Sequence, residues 1–410
     1  MTATSYSDAV NEALERLDDL GYERGDHDFA NHGPMGAEAV AALGYGDEVA
    51  GWVQRYRNAM AHHEPPEPRF PLDATDESSW RPALGAFERV GDWEQLFRRE
   101  LAQAPWREVL ARWWPRLLPG LLAGLTHGTI RTAHAVRGLA AAQTPSALQL
   151  TELARGLAYW AGRYHELPGQ ALFTGQYSLA DAIRALPRLP SGTSADPGHR
   201  LRHLGEHPGY GAALTALAPQ RTQWLLSEMT AEFAGVYLAH PEVFPVPLVH
   251  GVTAPAAVRL VLPHLPDELH QPSLAALWQA HTALLLAFTS GHGTEGTARE
   301  QAIETAFPLS MSSAREPSTT VTSMSSNSPK RACASTVCAP TPDTQPQSSP
   351  RTSASPAATI SRPSGARSVV CAQSSGRTTA GFQARPGTPQ PWALSIFFAS
   401  RAYRPTSRLR

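Results

Sequence analysis

The chain has 410 residues and a formal net charge of −1, but eleven of its 35 basic residues and only Asp343 of its 36 acids lie from Pro317 onward, leaving a preceding body of net −11. An acidic body argues against a nucleic-acid partner, and without a run of about 18 apolar residues no transmembrane helix is expected. The N-terminus lacks the basic and apolar regions of a signal peptide, and Cys333, Cys338 and Cys371 all lie outside the body, so a cytoplasmic chain without body disulfides or thiolate metal sites is expected.

The first predicted element runs from Tyr6 to Leu20, with Ser7 as N-cap, Ala9, Val10, Ala13, Leu14 and Leu17 at helical spacing, and Gly21 as the stop. A loop with His32 then enters a second helix, in which Pro34 suits the first turn and Ala37, Val40 and Leu43 continue the pattern. Asp47 caps a third helix reaching Met60, with Trp52 and Tyr56 on one face. His62 and His63 lie in a proline-rich loop and read as solvated. Trp93 to Leu118 reads as mostly helical, broken or kinked at Pro105 and Pro115.

The stretch from Leu121 to Leu139 reads as a buried central helix with a polar seam. His127, Arg131 and His134 recur at i, i+4 and i+7 and share one face. Burying two imidazoles and a guanidinium costs free energy unless each finds a partner. The seam is therefore either a hydrogen-bonded core feature or part of a site. Leu148 to Tyr164 is the next helix, a Pro/Gly/Ser loop after Leu186 marks a lobe boundary, and Gln220 to Ala239 is a long amphipathic helix. Phe244 to His250 reads as an extended approach, because alternating prolines disfavour helix. Thr253 then caps a new helix, so His250, like His32, is expected on a helix-entry loop. Ser273 to Phe288 carries Trp278 and His281. The fold class predicted is all-α, with a helical domain over residues 1–306.

Residues 307–410 differ in kind. They are rich in Ser, Thr, Pro, Ala and Arg and nearly free of acids. A disordered low-complexity extension is one reading. A frameshift is the other: degenerate codons for residues 321–344, read one base out of register, permit an amphipathic, acid-containing sequence that includes His-Val-Ile-Lys-Leu-Thr-Glu-Ala. The body contains no lysine, and Lys330 in the tail is the sole lysine of the chain.

Imidazoles are ligands for iron, zinc, copper and nickel. His32, His127 and His250 form such a set if their three elements converge, with core histidines as the competing reading. No H-E-x-x-H spacing, dinucleotide fingerprint or G-x-S-x-G elbow is present. The blocks Asn31-His32-Gly33-Pro34-Met35, His127-Gly128-Thr129-Ile130-Arg131 and His250-Gly251-Val252-Thr253 resemble the questin oxidase-like family, over about residues 6–306. That resemblance implies oxidative, dioxygen-dependent cleavage of an aromatic polyketide or quinone-type substrate. It implies Fe(II) held by His32, His127 and His250, with NADPH as a possible cofactor. It also implies a further His and a carboxylated Lys from the block that the tail replaces, so that this chain is impaired as an oxygenase. Arg131 and His134 are the catalytic candidates, Arg131 for positioning an anionic substrate or supporting the site and His134, matched to no ligand motif, at a second rank that His281 shares. Two other readings stand beside it. One is a non-catalytic helical protein that binds an apolar aromatic ligand through Trp106, Trp113, Trp160 and Trp278. The other is a metallohydrolase, disfavoured because no carboxylate stands at motif spacing.

Overall fold

A computed structural model describes residues 4–188, 196–291 and 294–306, without side chains for 303–306. The tail beyond residue 306, with its disordered and frameshift readings, lies outside the described residues. The body is all-α. Its α-helices are α1 (Tyr6–Leu17), α2 (Gly33–Ala42), α3 (Val49–Ala59), α4 (Glu77–Trp80), α5 (Val90–Gln103), α6 (Trp106–Leu117), α7 (His127–Ala141) and α8 (Ala147–Gly162). There follow α9 (Leu179–Ala185), α10 (Pro197–Arg202), α11 (Tyr210–Leu214), α12 (Thr222–Ala239), α13 (Pro245–Val261), α14 (His270–Phe288) and α15 (Glu295–Ala306). A small antiparallel hairpin, β1 (Glu23–Arg24) with β2 (Phe29–Ala30), was not legible in the sequence, since two-residue strands show no alternation.

Two hydrophobic cores organise these elements. The smaller joins α1, α2 and α3 through Ala9, Leu14, Leu17, Ala37, Val53 and Tyr56. The larger is built mainly on α5 to α9 and α11 to α14. Its centre is aromatic: Trp93, Trp113 and Phe97 pack edge-on or stacked with ring centroids 5.0 to 5.7 Å apart. Five buried indole N–H groups have partners: Trp93 donates to the Ala83 carbonyl, Trp113 to Glu100, Trp114 to Ser273 Oγ, Trp160 to the Gly120 carbonyl and Trp278 to that of Ala213. Trp113, Trp160 and Trp278 are thus packed in the core, and Trp106 is buried against it. A polar tie links the two cores: Glu38 of α2 accepts from His134, Arg137 and Tyr6.

Several boundaries differ from the sequence expectation for identifiable reasons. Ser5, not Ser7, caps α1, accepting from the Asp8 N–H. Asp47 caps nothing; its carboxylate accepts the Thr4 N–H, and a 3-10 turn, Gly46–Glu48, leads into α3. Pro105 ends the run that began at Val90, giving two helices in place of one. The central helix starts six residues later than Leu121, because residues 124–126 turn left-handed. Phe244 to His250 is not extended. Pro245 and Pro247 occupy the first turn of α13, where backbone N–H groups lack intrahelical partners and prolines therefore lose nothing. His250 accordingly lies inside a helix, and Thr253 is no cap; its hydroxyl donates to the Val249 carbonyl.

One described helix segment, Pro245–His264, is long and apolar enough to cross a membrane, with a mean hydropathy of 1.3. It is 67% buried within the body, packed against α7, α12 and α14, as a core helix is.

Candidate metal centre

His32 lies two residues beyond the end of the hairpin and is the N-cap residue of α2. Its position is fixed on every side. Its backbone N–H donates to Tyr56 Oη at 2.8 Å, and that hydroxyl donates to Asn31 Oδ1 at 2.9 Å. Asn31 Oδ1 also accepts the Gly33 N–H, while its Nδ2 donates to the Gly21 carbonyl. Gly33 is required here by close approach: a Cβ would lie 2.9 Å from the Tyr56 ring and 3.0 Å from Asn31 Oδ1.

His127 is the first residue of α7 and follows three consecutive left-handed residues, Gly124, Leu125 and Thr126, with φ of 54°, 53° and 65°. Such a conformation costs a non-glycine residue about 1–2 kcal/mol, and for a β-branched threonine it is an outlier. The strain places the Gly124 carbonyl 2.5 Å from His127 Nδ1. His250 sits in α13 with Nδ1 2.6 Å from the carbonyl of Val246, one turn back.

The three imidazoles meet through His127. Its Nε2 lies 2.9 Å from His32 Nε2 and 3.2 Å from His250 Nε2. His32 Nδ1 lies 2.8 Å from the Ala30 carbonyl, so all three Nδ1 atoms face carbonyl oxygens. A carbonyl can only accept, so each Nδ1 carries the proton and each neutral ring turns a bare Nε2 lone pair on its neighbours. Lone pairs at these distances repel unless a positive charge lies among them. A shared proton is disfavoured, because burial pushes the imidazoles down: His32 from an ordinary 6.5 to about 3, with His127 and Arg24 adding to the effect, and His127 to about 4. His250 falls well below 6.5, again chiefly by burial. A metal ion suits the donor set better. Two nitrogens each about 2.1 Å from one ion, at angles between right and tetrahedral, are ~3.0–3.4 Å apart, close to both measured edges.

Electrostatics oppose as well as favour such an ion. The three donors are neutral, and among the described hydrogen bonds no carboxylate reaches them. Arg24 lies beside them, its guanidinium 4.2 Å over the Tyr56 ring with Nε and Nη1 unpartnered. The imidazoles are joined only pairwise, through His127; among the described residues the group of three that brings its donor atoms within 4.8 Å of one another is Glu23, Asp28 and His63. It is a poor metal site. Glu23 is held by Arg163 and Tyr159, and His63 Nε2 faces the Gly25 carbonyl at 3.1 Å.

Arg131 and His134 hold different positions. Arg131 forms a buried bidentate pair with Glu152 at 2.6 and 2.8 Å, and His134 Nδ1 lies 2.5 Å from Glu38 Oε2. Neither has a described hydrogen bond to the imidazole cluster. His281 donates from Nε2 to the Gly251 carbonyl at 2.8 Å. Pro255, four residues on from Gly251, has no N–H to take that carbonyl, so the proline in α13 is what frees it. The sequence reading missed Asn31 and Tyr56 as the clamp on His32, and it missed the three carbonyls. Asn31 directly precedes His32 in the sequence block that singles it out, but Tyr56 has no local signal for a partner 24 residues away.

No family model matches the chain, and no curated protein matches it.

Proposed function

We propose that the chain is an oxidoreductase of the questin oxidase-like class in which His32, His127 and His250 hold one divalent metal ion, Fe(II) by that resemblance. The observation that carries the reading is the approach of His127 Nε2 to both His32 Nε2 and His250 Nε2, with all three Nδ1 atoms facing backbone carbonyls. Backbone carbonyls behind metal-binding imidazoles are a recurring support for ligation. Bound there, iron would supply dioxygen-dependent redox chemistry toward an aromatic polyketide or quinone-type substrate, in a cytoplasmic setting. NADPH enters only through the resemblance, and no dinucleotide fingerprint accompanies it.

The protein's own part is to hold three imidazoles deprotonated at neutral pH and oriented, with His127 and His250 buried. Among the described residues no anionic donor is hydrogen-bonded to these rings. With three neutral ligands the ion keeps its full +2, next to Arg24, and affinity falls. A carboxylated lysine cannot come from a body without lysine. The reading is therefore of an impaired oxygenase. The test is dioxygen uptake by the Fe(II)-reconstituted full chain with a hydroxylated anthraquinone, with and without formate as a replacement anion. Substoichiometric iron and slow uptake, both raised by formate, are expected. Full iron and rapid uptake without formate would overturn the impairment. Absence of iron-dependent uptake in both conditions would overturn the oxidoreductase reading.

A further inference from the structure

A groove distinct in its residues from the imidazole cluster has a volume of about 350 Å³. Its apolar surface comes from Trp80, Leu84, Pro115 and Pro119, and its polar groups are Arg81, Arg116, Tyr164 and Glu166. That volume is at the lower end of the range for small-molecule sites, roughly 300–1,000 Å³, and fits a single-ring ligand. Two prolines on the rim stiffen the wall, which lowers the ordering cost of binding.

The cations on this groove are unequal. Arg81 pairs with Glu77. Arg116 has no carboxylate within ion-pair distance among the described residues; its hydrogen bond is to the Ala74 carbonyl, at 3.3 Å. Its guanidinium is instead flanked by indoles, 5.1 Å from the Trp80 ring and 4.6 Å from that of Trp113. Arg155, Arg163 and Arg188 each have a carboxylate, as do Arg131 and Arg137. Burial and then the neighbouring Arg112 lower the pKa of Arg116, with the more distant charges of Glu100 and Glu77 opposing them only in part. On the groove's other polar side, Tyr164 Oη lies 3.4 Å from Glu166 Oε2.

We propose that this groove binds a small aromatic carboxylate carrying a hydroxyl at its far end. The carboxylate pairs with Arg116, whose planar fork matches two carboxylate oxygens. The ring lies on Leu84 and the prolines, and the ligand hydroxyl donates to Glu166. An aromatic anion without the hydroxyl leaves Glu166 unmatched, and a neutral phenol leaves Arg116 unmatched. The proposal does not depend on metal at His127.

Calorimetric titration of the full chain with 4-hydroxybenzoate tests it, with 4-hydroxybenzyl alcohol as the neutral analogue. Saturable binding of one equivalent is expected, weakened by about tenfold or more in Arg116→Gln and for the alcohol. Arg116→Lys retains part of the affinity, and Leu84→Trp, which fills the groove without touching its charge, abolishes binding. Thermal midpoints check that each variant folds; if Arg116→Gln does not, Leu84→Trp and the neutral analogue decide. No saturable binding to the wild type, equal binding of the alcohol, or unchanged affinity in a folded Arg116→Gln or Leu84→Trp would overturn the proposal.

Discussion

At the scale of single residues, protonation governs the candidate centre. The sign of its pH dependence follows from the depressed imidazoles. An unfolded His protonates near 6.5, whereas native His32 and His127 resist down to about 3 and 4. Between those values the unfolded chain binds protons that the native chain does not, so stability falls as pH falls below 6.5. The loss is about 1.4 kcal/mol per pH unit for each such imidazole. Above 6.5 these groups add no dependence. His281, pushed by burial to about 3, acts in the same direction. Thermal midpoints of the metal-free chain at pH 7.5, 6 and 4.5 check this: little change above 6.5 and a steep fall below are expected. A midpoint flat to pH 4.5 would mean that these rings are accessible to protons.

The Arg131–Glu152 pair supplies a contrasting prediction. Both side chains are buried, so Glu152→Gln leaves a guanidinium undercompensated and destabilises by about 3–5 kcal/mol. Its metal content, measured in whatever fraction folds, should equal wild type, since neither member is bonded to the imidazoles. The three ligand candidates were legible in sequence because His at a motif position is a distinctive residue type. The proton positions were not, because carbonyl partners are generic backbone atoms brought near by the fold.

At the scale of elements, the centre depends on two local departures from regular structure. One is the left-handed turn at 124–126, which starts α7 at His127 and aims the Gly124 carbonyl at its Nδ1. Nothing in the apolar run from Leu121 announces it, since only Gly124 is a residue that adopts the conformation readily. The other is the proline-bearing start of α13. Prolines fit the first turn of a helix as well as they break its interior, so His250, expected three residues before the Thr253 cap, lies five residues beyond the first residue of α13, Pro245. Close packing then holds the elements in place. A Cβ on Gly128 would lie 2.5 Å from Trp160 Cα, a backbone atom of α8 that cannot yield cheaply. Gly128→Ala should therefore cost at least the ~1–3 kcal/mol of an overpacked core. Because the shift would move His127, it should also weaken metal retention. Denaturant midpoints and metal content of the same preparation read both; a stable variant with normal metal content would show that α7 and α8 can separate without disturbing the centre.

At the scale of the whole molecule, all-α architecture was legible from helical periodicity and from the absence of sustained alternation. The division into two cores was not, because it depends on which apolar faces meet. His32 opens α2, whose Met35 joins the larger core and whose Ala37 and Ala41 join the smaller one, while His127 and His250 lie on helices of the larger core. The contacts among them span 95 and 123 residues of sequence. An ion held by all three would bind the native chain and not the unfolded one. It should raise stability by about 2.7 kcal/mol at a free concentration 100 times Kd. A rise in thermal midpoint with Fe(II) that is lost in His32→Ala is the expected outcome, whereas an equal rise in that variant would place the ion elsewhere, with Glu23, Asp28 and His63 the first alternative.

The most direct test of the metal centre is the iron content of the full chain after anaerobic equilibration with excess Fe(II) and removal of unbound metal, compared with His127→Ala. His127 is the ring that touches both others, so its loss should abolish retention while Arg24→Gln, which removes the adjacent positive charge, should raise it. Equal iron in wild type and His127→Ala, or no retained iron in wild type and Arg24→Gln alike, would contradict the assignment.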